Sequence, residues 1–391
     1  MWPVSQHYLD TLARPHSQVV YAQVLKDSLV VADLQSGKIV DPNTMLPLRV
    51  ESGSVQVSRT TIRRTCTINF VDPSGILLPE NVYDLLAPYS TEIRVFVGVR
   101  YWDAPLPSLL LTGPPADTEL VPVGTFVITD LEANFPIITI NGSDRMWYMS
   151  NFAKPYAIAS GTKAVDGINA LLGLKVPTQL LDVNLPDDQG AEATTPLLNY
   201  DADSSSADAL STVAQSAGWV IYADAMGTFV ATHEPTIDDP EVLVFTAGTG
   251  GLLLKHPKRT IGGDMTNAVV FTNESGSAAV PLRGYAQDDN PSSLTYVGRV
   301  GVRPTFASSP LMTTQDQVNK AARTQLQRTL GVSDIVTLTV VPVHALGAGD
   351  VIRVTDPTVQ IDSKYISDQF TVNLRAADGP MEVACRSQVI R

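Results

Sequence analysis

Residues 313–356 constrain the fold of this chain more than any other stretch, because three well-marked elements follow one another without a break. The spacing predicts a helix over 313–330. Thr314 can accept a backbone N–H while Gln317 reaches back to it, the reciprocal arrangement of a capping box. Val318, Ala321, Ala322, Leu326 and Leu330 fall on one face at helical spacing. Asp316 in the first turn and Arg323 and Arg328 further along complement the helix dipole, and Gly331 can supply the left-handed residue that stops it. The run Ile335 to Val341 is β-branched or apolar at almost every place and breaks at Pro342, which predicts a strand. Leu346-Gly347-Ala348-Gly349-Asp350 then makes a tight corner into a second strand, Val351 to Val354.

A second segment repeats the logic on a smaller scale. Ser206 to Ala217 reads as a short helix, Gly218 as its stop, and Trp219 to Ala223 as a strand. Asp224-Ala225-Met226-Gly227 then turns the chain into a hairpin with Thr228-Phe229-Val230. Near the start, Arg63-Arg64-Thr65-Cys66, Glu92-Ile93-Arg94-Val95, Gly98-Val99-Arg100-Tyr101-Trp102 and Val123-Gly124-Thr125-Phe126 form a further group. The first two segments resemble parts of bacteriophage tail hub proteins, the baseplate-hub family. The third resembles minor tail proteins of long-tailed actinobacterial phages. Together these likenesses cover most of the chain, and they speak to architecture more than to chemistry.

Composition sets the outer limits. With 391 residues, 44% hydrophobic and 17% charged, the chain can bury sizeable cores and divide into several domains. A net charge of −13 argues against a dedicated nucleic-acid binder, which needs a basic footprint to neutralise phosphates. The start, Met1-Trp2-Pro3-Val4-Ser5-Gln6-His7, carries neither a basic nor an apolar leader region, and no stretch approaches the ~18 apolar residues of a membrane helix. The expectation is a chain made in the host cytoplasm. Cys66 and Cys385 each fall on the apolar side of a predicted strand, which predicts buried, inert thiols.

The expected fold class is α+β, mostly β: two tail-tube-like β-barrel or sandwich domains with an α/β insertion. The boundaries read 1–14 as an N-terminal arm, 15–155 as the first β domain, 156–237 as the α/β domain and 238–391 as the second β domain carrying the long helix. In the first, Ile93, Val95, Val97, Val99 and Tyr101 alternate with Glu92, Arg94, Arg100 and Trp102, predicting a strand with one buried face and one solvent face. Phe126 with Ile128, and Ile138 with Ile140, mark two more strands, with Asn134-Phe135-Pro136 as the turn between them. Asp72-Pro73-Ser74-Gly75 reads as a turn and Glu80 to Leu86 as a short helix ended before Pro88. Thr162 to Leu172 reads as a helix, 186–196 as an exposed loop, and Pro235 to Pro240 as a linker.

The sequence offers no catalytic residue, no cofactor-binding residue and no metal ligand set. Its five histidines stand far apart. Asp201-Ala202-Asp203 opens like a calcium loop, but the glycine and the closing Glu are missing, so its role is to start the helix at Ser205 or Ser206. Gly248-Thr249-Gly250-Gly251 lacks the Lys-Ser/Thr of a phosphate cradle and reads as a turn. Glu80 and Asp84, one helical turn apart, read as a solvated face. Arg63, Arg64 and Trp102 are the candidate interface residues. For Arg64 two placements fit, burial against a carboxylate or escape to solvent from a strand end.

The resemblance implies a structural protein, not an enzyme, in which a trimeric ring adapts a six-fold tail tube to a three-fold tip and leaves a channel for tape-measure protein and DNA. It implies no cofactor. The partners it implies are the distal tail protein, the tape-measure protein and a tail fibre or receptor-binding tip. DNA would pass through without specific binding, helped by acidic side chains on the bore. Two rival readings are a carbohydrate-binding adsorption protein, using aromatics such as Trp102, Trp147 or Trp219, and a cell-wall-degrading tail enzyme, for which the sequence supplies no convincing residue set.

Overall fold

The computed structural model describes residues 1–34, 50–81, 83–101, 118–261, 265–273, 282–293, 295–329, 334–375 and 378–387. The fold is α+β and mostly β, and a 13-stranded sheet dominates it. Its main path runs through strands 258–261, 334–340, 381–386, 361–373, 50–58, 64–71, 137–143, 118–134, 92–100, 17–26 and 29–33, each antiparallel to the next. Strands from the early and the late part of the chain therefore share one sheet. They meet where Ile361–Asn373 pairs with Val50–Ser58, in a register that sets Phe370 opposite Val57. Both of these side chains are buried in a core common to the two halves. Burying an apolar side chain of this size stabilises by about 1.5–3 kcal/mol, so the seam is held by packing as well as by its backbone ladder.

Alternation explains most strands. In Arg64–Val71, Cys66, Ile68 and Phe70 point into the core while Thr67 is exposed. Cys66 and Cys385 are both buried free thiols, and burial pushes both well above the usual thiol range. The turn at Asp72 is tied by its carboxylate, which accepts N–H bonds from Gly75 (2.9 Å) and Leu77 (2.8 Å).

Two further cores stand beside the sheet. Helices Ala164–Lys175 and Ser206–Ser216 pack together, with Ile168, Leu171, Leu210 and Val213 buried, over strands Trp219–Ala223 and Phe229–His233. Ser205 caps the second helix by accepting from Asp208 N at 3.1 Å. The third core belongs to the long helix, Gln315–Thr329, which lies on its own three-stranded sheet of Arg283–Gln287, Ala268–Thr272 and Pro304–Ser308. Its capping box is formed: Gln317 N donates to Thr314 Oγ1 at 3.3 Å and Thr314 N to Gln317 Oε1 at 3.0 Å. Val318, Ala322 and Leu326 are its buried face, while Leu330 and the Gly331 stop lie outside the described residues.

The structure corrects two expectations. Glu80, Asn81 and residues 83–86 are bends and turns, not a helix. Asp84 explains it: the carboxylate accepts from the N–H groups of Glu80 (2.6 Å) and Asn81 (2.9 Å), a local bond that competes with helical pairing. Glu92, expected on a solvent face, is 3% exposed, because an arginine from another segment covers it. No helix of the described residues is long and apolar enough to cross a membrane.

Candidate functional site

The hairpin turn at Asp224-Ala225-Met226-Gly227 is where the large sheet grips the α/β unit. Asp224 shapes it, since one carboxylate oxygen accepts from both Met226 N (2.8 Å) and Thr228 N (2.9 Å). That leaves the outward carbonyls of the turn for other partners, and the sheet supplies them. Arg64 Nη1 donates to Ala223 O at 3.0 Å, Thr125 Oγ1 to Ala225 O at 3.0 Å, Arg94 Nη2 to Met226 O at 2.9 Å and Arg145 Nη1 to Gly227 O at 3.0 Å. A buried carbonyl left unpaired would cost about 1–3 kcal/mol, so these four bonds fix one docking position.

Arg145 is the centre of the joint. It follows the buried Asp144, which caps a short 3-10 turn by accepting from Met146 N at 3.0 Å and also takes Arg64 N at 2.9 Å. The guanidinium meets Glu92 in a fork, Nε to Oε1 at 2.8 Å and Nη2 to Oε2 at 2.7 Å, with both side chains almost wholly buried. It also donates to Leu180 O at 3.0 Å and to Ser28 Oγ at 3.2 Å, so one side chain bonds the sheet, the α/β unit and the first hairpin. Planar bidentate geometry of this kind suits Arg and not Lys. Gly227 is needed here: its φ is 88°, and a Cβ would stand 2.9 Å from Arg145 Nε.

Arg63 and Arg64 diverge. The Arg63 guanidinium lies 3.4 Å from the Tyr222 ring centroid and donates to Ala348 O at 3.3 Å. Burial lowers Arg63 to about 10, and it also pulls Arg64 and Arg94 below the ordinary guanidinium value. Arginine stays protonated at neutral pH in spite of this. Both candidate arginines are thus joined to the α/β hairpin of their own chain, while Trp102 lies outside the described residues. Arg94 and Thr125 stand in segments already quoted from the sequence but, like Arg145, were not among its candidate interface residues. The available signal was Glu92 with Arg94, two charges on one side of a strand whose other side is apolar.

The arrangement is mechanical. Glu92, Asp144 and Asp224 all have their carboxylates engaged by internal donors. Among the described residues no group of three or more His, Cys, Asp or Glu could hold a metal ion. His344 is fully buried beside Tyr8 Oη at 3.1 Å, and burial lowers it to about 3, so it stays neutral.

No family model matches this sequence, and no curated protein does. Solved structures do match. A tail protein from Neisseria meningitidis MC58 is 13% identical with a TM-score of 0.60, over 94% of this chain and 96% of that one. The 43 kDa tail protein of prophage MuSo2 from Shewanella oneidensis is 11% identical with a TM-score of 0.57, over 94% and 98%. Prophage tail protein gp18 from Listeria monocytogenes EGD-e is 8% identical with a TM-score of 0.54, over 95% of each chain. This chain has the fold of prophage tail proteins. At such identities the likeness is one of fold, and it spans nearly the whole of each molecule.

Proposed function

We propose that this chain is a structural hub of a phage tail tip. The observation that carries the reading is the end-to-end likeness to three solved tail proteins, with 94% or more of this chain and 95% or more of each of theirs superposed. In this reading the chain is not an enzyme, and residues 15–155 and 238–391 are the two tube-forming β portions. Residues 1–14 are an arm and 156–237 the α/β insertion, locked on by the Arg145 joint. Three copies form a ring that matches six-fold tube to three-fold tip, with a channel for tape-measure protein and DNA. The distal tail protein, the tape-measure protein and fibre or tip proteins are its neighbours. The sequence likeness adds a long-tailed phage of an actinobacterial host, with assembly in the host cytoplasm.

The sheet's edge supports an assembled state. Leu29, Val30 and Val31, on the terminal strand of the sheet among the described residues, are 71%, 47% and 51% exposed. An apolar edge strand is an aggregation hazard unless something pairs with it or covers it. Gold-labelled antibody against the protein tests the assignment by electron microscopy of intact virions: label at the tail tip is expected, and label along the tube or absent from particles would overturn it.

A further inference from the structure

A cleft of about 280 Å³ opens beside the joint, between the end of the first hairpin and the segment 177–180 of the α/β unit. Its lining includes Lys26, Asp27, Tyr83, Tyr89, Tyr148 and Gln179. Two of its tyrosines are linked through Trp147 behind the wall. Tyr89 stacks on Trp147 with ring centroids 5.5 Å apart, and Trp147 meets Tyr148 edge-on at 5.3 Å. Lys26 Nζ sits 5.2 Å from the Tyr83 ring centroid. Tyr83 and Tyr89 are 81% and 60% exposed, while Tyr148 is half-buried and backs onto the α/β core.

Two details set this cleft apart from an ordinary surface groove. Among the described residues, four non-glycine residues have positive φ, namely Asp27, Ser28, Tyr89 and Gln360. The first three lie in or next to this cleft. Asp27 and Ser28 sit in a tight hairpin turn, where such angles are common, but a tyrosine at φ 65° is a true outlier. The backbone is strained to hold an aromatic ring in solvent, and strain of that kind clusters at ligand sites. The polar groups at the mouth are also balanced. Lys26 is one cation and Asp27 one anion, while Glu92 in the wall is neutralised by Arg145. Asp27 Oδ1 accepts from Gln179 Nε2 at 3.0 Å, placing an amide and a carboxylate side by side.

We propose that this cleft binds a neutral saccharide of one or two rings. Exposed tyrosine faces such as those of Tyr83 and Tyr89 pack against the C–H faces of a sugar. The Lys26, Asp27, Gln179 and Tyr148 side chains supply the donors and acceptors that its hydroxyl groups need. The volume is close to the lower end of ligand pockets, about 300 Å³, which suits one or two rings and not a long chain. The balance of charge favours an uncharged ligand over a phosphate or an acidic polymer. The site stands on this cleft alone and holds whether or not the chain forms a ring.

The test is saturation-transfer NMR on the full chain with three probes, N-acetylglucosamine, cellobiose and maltose, each in excess. Transfer to at least one sugar is expected. Tyr89→Gly should weaken that sugar's binding at least about tenfold. The unfolding midpoint should not fall, because glycine adopts the left-handed angle freely. Tyr148→Phe, which keeps the ring and removes the hydroxyl, should weaken binding less. Phe306→Ser, at an exposed residue of the small sheet remote in sequence from the cleft, should bind as the parent does. Absence of transfer to all three sugars would overturn the proposal, and so would binding that survives both Tyr89→Gly and Tyr83→Ala unchanged.

Discussion

Arg145 carries more of the joint than any other side chain, and its removal should show what a buried fork is worth. In Arg145→Met, Glu92 stays buried without its fork partner, and a broken buried pair of this kind costs about 3–5 kcal/mol. Urea unfolding of the full chain measures it, and a loss below about 1 kcal/mol would mean that the pair behaves like a surface contact. Replacing Glu92 as well, by Leu, should recover the share of the loss due to the uncompensated charge, while Leu180 O and Gly227 O stay without the Arg145 donor. Asp144 gives a second, pH-dependent signature. Burial raises its carboxyl from 3.8 to about 6, outweighing the N–H bonds it accepts. The folded chain therefore holds this proton more tightly than the unfolded chain does. The stabilisation is fully present below 3.8 and is lost as pH rises through about 6. Lowering the pH from neutrality to about 5 should thus raise the melting temperature of the parent relative to Asp144→Asn, where this carboxyl no longer titrates. Parallel pH curves for the two proteins would contradict the assignment.

Among elements, the hairpin at Asp224–Gly227 is the one on which the docking of the α/β unit depends. Gly227→Ala places a methyl group against the Arg145 guanidinium at a φ that alanine avoids. It should destabilise by more than about 1 kcal/mol, while Gly173→Ala, in the helix Ala164–Lys175 with open space at its Cβ, should be neutral or stabilising. Thermal unfolding of the two variants makes the comparison. The same elements show what could be read from sequence. The capping box at Thr314, the helix stop at Gly218 and the Asp224 turn were legible because each rests on bonds between residues a few places apart. Strand alternation was legible for the same reason. The pairing of Ile361–Asn373 with Val50–Ser58 was not, because nothing local fixes which edge a strand will meet. Glu92 was misplaced for a related cause. Its partner Arg145 lies 53 residues away and follows a capping aspartate that looks like loop. The Glu80–Leu86 helix failed because Asp84 bonded to the backbone of its own turn.

At the scale of the whole molecule, one sheet gathers strands from both ends of the chain, and the α/β unit is clamped to it through Arg64, Arg94 and the buried Arg145. Sliding the joint would break the charge-assisted bonds that these arginines make to the hairpin carbonyls. The exposed apolar edge at Leu29–Val31 gives it a surface to be covered by a neighbour. The central claim is that copies of this chain close into a ring at the tail tip. Cryo-electron microscopy of the tail tip, or of the purified chain where it assembles alone, tests that claim most directly. The account expects a three-fold ring around an open channel, with the two β portions of each copy lining it. A single copy per tip, or a monomer with no channel-facing sheet, would contradict it.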